Sequence, residues 1–200
     1  TSRKRLLGSV GSGPVEVLHS ARVVRQPADG SCLFHSLAHG LKDGCNAHAL
    51  RRQTAAFIES HPGMEISDSP LRDWVMWDSG ASVGAYSRRM LSGESRHLNP
   101  ALSAAISAAP RLPSRPHLGR ISASPVAGGT WGGGIEMAVV AALKRVSVHV
   151  YQQTHSASGR AFKRISCFSG PPGCEKIVRV LYCGGVHYDA LEVSPRRAAI

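Results

Sequence analysis

Residues 29–41 read DGSCLFHSLAHGL, a glycine turn followed by apolar residues at helical spacing. The spacing predicts an amphipathic helix over Ser31–Asp43, with Cys32 in its first turn. A thiolate is a nucleophile, and a helix N-terminus lowers the pKa of a thiol by stabilising its anion. Free backbone N–H groups at the same place can hold an oxyanion. The stretch therefore predicts a nucleophilic cysteine, against the alternative of a buried cysteine that only packs the helix.

The remaining elements are predicted as helices first and strands afterwards. The predicted helices are one capped by Asn46 and ended by His61-Pro62-Gly63, one opened by Ser69-Pro70, and those over Val83–Leu91 and Gly132–Arg145. The predicted strands are Val15–Arg25, Val146–Tyr151, Ala161–Phe168, Ile177–Cys183 and His187–Val193, the last two joined by a hairpin at Gly184-Gly185. This order predicts an α+β domain with a largely antiparallel sheet.

A base for the thiol is predicted on the last strand, which begins His187-Tyr188-Asp189. Alternate residues of a strand share a face, so His187 and Asp189 lie about 6.6–6.8 Å apart along one side. At that distance the carboxylate can hold the imidazole in one tautomer, as a nucleophile–base pair requires. The alternative is a surface histidine beside a surface aspartate, since the chain has 10 histidines.

A third segment, Trp131-Gly132-Gly133-Gly134, precedes an apolar helix that carries Glu136 in its first turn. A tryptophan beside small residues can wall a narrow cleft where a backbone must approach closely. The alternative is a helix-start turn with a tryptophan that belongs to the core.

Taken together and in this order, the three segments resemble the ovarian-tumour (OTU) cysteine proteases. Tyr86 and Met90 also resemble the family's helix before the Trp-Gly-Gly segment, and the resemblance covers roughly Val23 to Val193. It implies a papain-like α+β fold, in which helices flank a central, mostly antiparallel sheet. It also implies hydrolysis of isopeptide bonds between the C-terminal glycine of ubiquitin and lysine, with ubiquitin and polyubiquitin chains as partners and no cofactor or metal.

The resemblance also assigns roles to residues. It implies Cys32 as nucleophile, His187 as general base, Gly30 and Ser31 as the oxyanion loop, and Trp131 and Glu136 as supports of the cleft. The orienting acid stays open between two aspartates. Asp29 matches the motif aspartate of the family, which is grouped with the catalytic residues or shapes the oxyanion loop. Asp189 is favoured by the shared strand face.

The net charge of +11 on 200 residues first suggests a non-catalytic, nucleic-acid-binding protein. However, nine of the 24 basic residues fall in three segments without acidic residues, namely 1–14, 95–130 and 194–200. We expect a basic lead-in over 1–14, a catalytic domain over 15–193 with an Ala/Ser/Pro-rich insertion at about 92–129, and a tail over 194–200. The remaining body carries only +2, so nucleic acid is not a required partner.

The cysteines and the apolar runs indicate where the protein acts. There are five cysteines with no C-x-x-C pair, which predicts reduced thiols and no zinc site. We therefore expect a cytoplasmic or nuclear monomer that is not secreted. The longest apolar stretch, Ile135–Leu143, is far shorter than the roughly 20 residues that span a bilayer, so no membrane insertion is expected. A hydrolase of a ubiquitin-like modifier and a papain-like acyltransferase remain alternatives.

Overall fold

A computed structural model describes residues 16–92, 133–156, 159–184 and 187–193. The expected lead-in (1–14), nearly all of the expected insertion (92–129) with its possible helix over Ala101–Ala109, Trp131, and the tail (194–200) lie outside the described residues. The described helices are α1 (Cys32–Leu41), α2 (Ala47–Ser60), α3 (Leu71–Ser79), α4 (Val83–Ser92) and α5 (Gly134–Lys144). None of the described helices is long and apolar enough to cross a membrane.

The described strands form one large sheet and one small hairpin. They are β1 (Val17–Leu18), β2 (Ala21–Val24), β3 (Glu65–Ile66), β4 (Ser69–Pro70), β5 (Ser147–Ser156), β6 (Gly159–Phe168), β7 (Ile177–Cys183) and β8 (His187–Val193). The large sheet has the order β1-β6-β5-β7-β8-β2, and β3 pairs with β4. All pairs in it are antiparallel except β5 with β7, which run parallel. The predicted fold class, a mostly antiparallel α+β architecture, is confirmed.

The large sheet curls, as its connectivity requires. β1 and β2 lie at opposite edges of the sheet, yet only two residues separate Leu18 from Ala21. Three residues of chain span at most about 11 Å, whereas the edges of a flat six-stranded sheet lie about 24 Å apart. The predicted single strand over Val15–Arg25 is therefore wrong: it breaks in two, because its halves pair with β6 and β8 at the two edges.

Apolar side chains fill both sides of the curled sheet. The larger core lies between the sheet and the helices, where α1 packs on β7 and β8, and it contains Phe34, Leu37 and Val180. The smaller core consists of Tyr151, Phe162, Leu181 and Leu191, with partly buried neighbours that include Val23 and Cys183. The last two strands, β7 and β8, therefore have no exposed side along most of their length, which fixes their register.

Local signals set the helix boundaries. Asn46 accepts a hydrogen bond from the Ala49 N–H at 2.8 Å, which confirms the predicted cap of α2. The third helix, α3, begins at Leu71, one residue later than predicted, because Pro70 is its N-cap and Ser69 pairs in β4. The C-terminus of α1 lies against β7, where the Lys176 ammonium donates to the Leu41 carbonyl.

Candidate active site

Cys32 is the first residue of α1 and is almost completely buried, with 2% of its surface exposed. Burial raises the pKa of the Cys32 thiol, while hydrogen bonds from the backbone of Tyr188 and Leu33 act in the opposite direction. The expectation of a lowered thiol pKa is therefore wrong for the free protein. Burial destabilises the thiolate by more free energy than the hydrogen bonds at the helix start stabilise it. The thiol is protonated at neutral pH and needs a base.

The predicted pairing of His187 and Asp189 on one strand face is confirmed. His187 Nε2 lies 3.1 Å from Asp189 Oδ1, at the start of β8. The intervening residue, Tyr188, offers its backbone to the Cys32 sulfur. Because Nε2 is held by the carboxylate, the Nδ1 atom of His187 is the ring nitrogen left to take a proton.

Asp189 is a fully buried carboxylate surrounded by donors. Oδ1 also accepts from the Gln26 N–H at 2.9 Å, and Oδ2 accepts from Arg25 Nη1 at 2.8 Å. The Cys183 thiol lies 3.6 Å from Oδ2. Burial opposes ionisation, but the hydrogen bonds from Gln26, His187 and Arg25 outweigh it and lower the pKa of Asp189. Asp189 is thus a stable anion that can hold a histidine and stabilise an imidazolium.

Asp29 bonds elsewhere. Its Oδ1 accepts from the Ser31 N–H at 2.8 Å, and its Oδ2 lies 2.9 Å from His35 Nε2. Burial raises the pKa of Asp29, but the bonds from His35 and Ser31 outweigh it and lower the pKa. The hydrogen-bond partner of His187 is therefore Asp189, whereas Asp29 holds the loop before Cys32.

A buried arginine that the sequence analysis did not single out lies behind this loop. Arg51, on α2, is 7% exposed and donates from Nη2 to the Gly30 carbonyl at 2.5 Å and to Ser31 Oγ at 3.0 Å. Position 51 lies in a run of polar residues on an ordinary amphipathic helix, so only three-dimensional packing reveals its contacts. One sequence signal was available, since position 51 falls at helical spacing on the same face as the apolar residues Ala47, Ala55 and Ile58.

Glu136 stabilises the start of α5. It is 3% exposed, accepts from the Gly133 N–H at 2.6 Å and accepts from the Tyr86 hydroxyl. Burial raises the pKa of this carboxyl group. These bonds tie α4 to the start of α5, which immediately follows the Trp131 segment. Trp131 itself lies outside the described residues, so its expected place in the cleft wall stays a prediction.

Together these contacts supply the parts of an acyl-transfer site. A buried thiol starts a helix, a histidine held by a buried carboxylate follows on the adjacent strand, and backbone N–H groups surround the sulfur. Among the residues that the structure describes, no group of three His, Cys, Asp or Glu side chains is arranged to hold a metal ion.

Several solved structures share this fold. The OTU of Hazara virus, in a structure bound to ubiquitin, is 20% identical, with a TM-score of 0.54 over 94% of this chain and 95% of that one. The viral OTU domain protease from Dera Ghazi Khan virus is 14% identical, with a TM-score of 0.52 over 88% and 83% of the two chains. The OTU domain of OTUD1 is 15% identical, with a TM-score of 0.51 over 86% of each chain.

Sequence comparison agrees with the fold. No match was found among curated proteins. The family model of the OTU-like cysteine proteases matches residues 27–188, which include the Cys32 loop, all five described helices and the start of β8. The chain therefore belongs to the OTU-like cysteine protease family.

Proposed function

We propose that this protein is a deubiquitinase that hydrolyses the isopeptide bond between the C-terminal glycine of ubiquitin and a lysine in polyubiquitin chains. The observation that carries the proposal is the 3.1 Å contact between His187 and Asp189 beside the buried Cys32 thiol, within an OTU-like cysteine protease. The similar OTU of Hazara virus is bound to ubiquitin, which supports the choice of substrate.

In the proposed mechanism, His187 Nδ1 takes the Cys32 proton as Sγ attacks the carbonyl carbon of the terminal glycine. The tetrahedral oxyanion accepts a hydrogen bond from the Cys32 N–H. The C–N bond then breaks, and the lysine amine leaves with the proton from His187. Water attacks the resulting thioester and gives a proton to His187, which returns it to the sulfur as the ubiquitin carboxylate departs.

We assign different roles to the two aspartates. Asp189 orients His187 and stabilises its imidazolium, because its Oδ1 holds Nε2 and the carboxylate is fully buried. Asp29 fixes the oxyanion loop, because it accepts the Ser31 N–H. That bond also occupies the Ser31 N–H, which leaves Cys32 as the better oxyanion donor of the loop residues Gly30, Ser31 and Cys32.

The test is cleavage of ubiquitin chains of every linkage type by the wild-type protein and a Cys32→Ala variant. Cys45→Ala is the matched control, since Cys45 precedes α2, away from the start of α1. We expect cleavage by the wild type and the control, and none by Cys32→Ala. A wild-type protein that neither cuts chains nor reacts with ubiquitin carrying a C-terminal electrophile contradicts the proposal. Cleavage of a ubiquitin-like modifier instead, or transfer to an added amine, would reassign the substrate or the acceptor.

We further propose that the protein acts as a cytoplasmic or nuclear monomer that requires no cofactor, metal or nucleic acid. The chemistry supports this proposal, because a thiol and an imidazole suffice for acyl transfer through a thioester. The five cysteines are all free thiols, as a reducing compartment would keep them. Sedimentation of the active protein, together with chain cleavage in the presence of a chelator and a nuclease, tests these points.

A further inference from the structure

The Gly30–Ser31 peptide bond, in the loop before the nucleophile, is held at both its carbonyl and its N–H group. The carbonyl of Gly30 accepts from Arg51 Nη2 at 2.5 Å, and the N–H of Ser31, on the same peptide plane, donates to Asp29 Oδ1 at 2.8 Å. Gly30 has a φ of +77°, a conformation that L side chains rarely adopt. Without these two partners, the peptide plane at this glycine is free to rotate.

This plane is joined through the Cα of Ser31 to the next peptide, which carries the Cys32 N–H group. Ser31 O accepts the first intrahelical bond of α1, from the His35 N–H at 2.9 Å. The N–H of Cys32 belongs to the same peptide as that carbonyl, so it points the opposite way, out of the helix start. Arg51 also holds Ser31 Oγ at 3.0 Å, so it contacts both the backbone before Ser31 and the side chain of Ser31.

Arg51 is itself held rigidly. Nη1 donates to the Met90 carbonyl at 3.1 Å, and the guanidinium lies 4.8 Å from the centre of the Phe34 ring. A planar guanidinium that bonds in two directions and stacks on an aromatic ring cannot be replaced geometrically by an ammonium. The residue therefore links α2, the end of α4 and the nucleophile loop through one side chain.

The charge of Arg51 also acts on the nucleophile. The Arg51 guanidinium bonds Gly30 and Ser31, the two residues directly before Cys32, so its positive charge lies close to the thiol. Burial lowers the pKa of Arg51, while the charges of Glu136, Asp29 and Cys32 raise it. The other charged or titratable groups that interact with Cys32 are Asp29 from the loop, Tyr188 from β8 and Cys183 from β7. His187 precedes Tyr188 at the start of β8. Among these neighbours of Cys32 in the described part of the chain, Arg51 is the buried group that carries a positive charge.

We propose that Arg51 is a positioning residue of the active site, which fixes the Gly30–Ser31 peptide so that the Cys32 N–H faces the developing oxyanion, and whose charge stabilises the Cys32 thiolate. The proposal rests on the proposed function for its kinetic consequence only. Its electrostatic consequence concerns the thiol alone and needs no ubiquitin.

Three variants test the proposal. Arg51→Lys keeps the positive charge but loses the planar guanidinium that bonds in two directions, and Arg51→Met removes both the charge and the guanidinium. Arg52→Met is the control. Arg52 is the next residue of α2 and is exposed. The readouts are thermal unfolding, kcat and KM on a fluorogenic amide of the ubiquitin C-terminus, and the pH dependence of Cys32 alkylation by iodoacetamide. Alkylation is followed by peptide mass spectrometry, with Cys45 in the same sample as the reference thiol.

For Arg51→Lys we expect kcat to fall by about 10²-fold with KM within about threefold of wild type, because a displaced oxyanion donor affects the transition state rather than binding. Its alkylation midpoint stays near that of the wild type, because the positive charge remains. For Arg51→Met the midpoint moves to higher pH. Arg52→Met matches the wild type in every readout.

Two results overturn the proposal. One is a folded Arg51→Lys with kcat within about twofold of wild type, since a purely packing role tolerates that change. The other is a folded Arg51→Met with an unchanged alkylation midpoint. If Arg51→Met does not fold, Arg51→Lys decides. If the wild type does not hydrolyse the ubiquitin amide, the proposed function fails, and the alkylation midpoints still test the charge of Arg51.

Discussion

Replacement of Asp189 by asparagine and by alanine tests how the histidine is held. Oδ1 of Asp189 accepts hydrogen bonds from the Gln26 N–H and from His187 Nε2, whereas Oδ2 accepts one from Arg25. In Asp189→Asn, an amide oxygen at the Oδ1 position keeps the first two bonds. The amide NH2 then faces Arg25, whose side chain is 81% exposed and can turn into water at little cost.

The magnitudes follow from these contacts. A charged acceptor contributes about 1–1.5 kcal/mol more than a neutral one, so we expect Asp189→Asn to lose about tenfold in kcat. Asp189→Ala loses the whole charge-assisted bond, about 1.5–3 kcal/mol, and also the orientation of the ring, so we expect about 10³-fold or more. It also leaves the Gln26 N–H without its acceptor, which destabilises the fold by about 1–3 kcal/mol.

The assay is release of a fluorophore from a ubiquitin C-terminal amide, with kcat expressed per active site titrated by a ubiquitin electrophile. Asp43→Asn is the matched control, because Asp43 pairs with Lys144 at the surface. Equal losses in Asp189→Asn and Asp189→Ala would refute the geometric argument. An Asp189→Ala variant within about tenfold of wild type would show that Asp189 is not the acid that orients His187, and would leave Asp29 as the candidate.

Three further predictions concern the loop, the pH dependence of stability and the packing of α1. Asp29→Ala lowers kcat in the same assay by about tenfold, which is less than the loss in Asp189→Ala. The reason is that Asp29→Ala removes the hydrogen bond to the Ser31 N–H but leaves the bond between His187 and Asp189 intact. Hydrogen bonds from Arg22 and His39 lower the pKa of Glu192 to about 2, so its stabilising effect is present above its ordinary value of 4.5 and disappears as pH falls through 2. Melting temperatures of wild type and Glu192→Gln should therefore differ at pH 5 and converge near pH 2. Gly40→Ala costs about 1–3 kcal/mol in urea unfolding, because its Cβ would lie 2.6 Å from a Val178 methyl.

Each of these predictions has a contrary outcome, and the Gly40→Ala prediction also has a control variant. A larger kcat loss in Asp29→Ala than in Asp189→Ala would reverse the two assigned roles. A constant difference in melting temperature from pH 5 to pH 2 would show that the Glu192 carboxylate does not stabilise the fold. Gly63→Ala is the control for Gly40→Ala, since no atom lies within 4 Å of its added Cβ, and equal stability of the two would contradict the close packing.

The sequence predicted the elements of this fold well where one face of an element is buried. The helix at Cys32 and the strands Ile177–Cys183 and His187–Val193 follow directly from apolar periodicity, and the last two match in both bounds. The parallel pairing of β5 with β7 was not predicted, because periodicity reports burial and not the direction of a neighbour. The break of Val15–Arg25 was missed for the same reason, since a local pattern does not show that two halves join opposite edges.

At the site, the sequence by itself predicted a nucleophilic cysteine, a histidine and a nearby carboxylate, because its pattern places Cys32 at a helix start and His187 and Asp189 two residues apart on a strand. Only the tertiary structure decided between the aspartates, since Asp29 turns to Ser31 and His35 while Asp189 is buried against His187. It also decided the sign of the Cys32 pKa shift, because burial depends on every element packed around the thiol. The contact of Arg51 with the loop is likewise a result of tertiary packing. Arg51 is 20 residues from Ser31 along the chain and reaches it only because α2 packs beside α1.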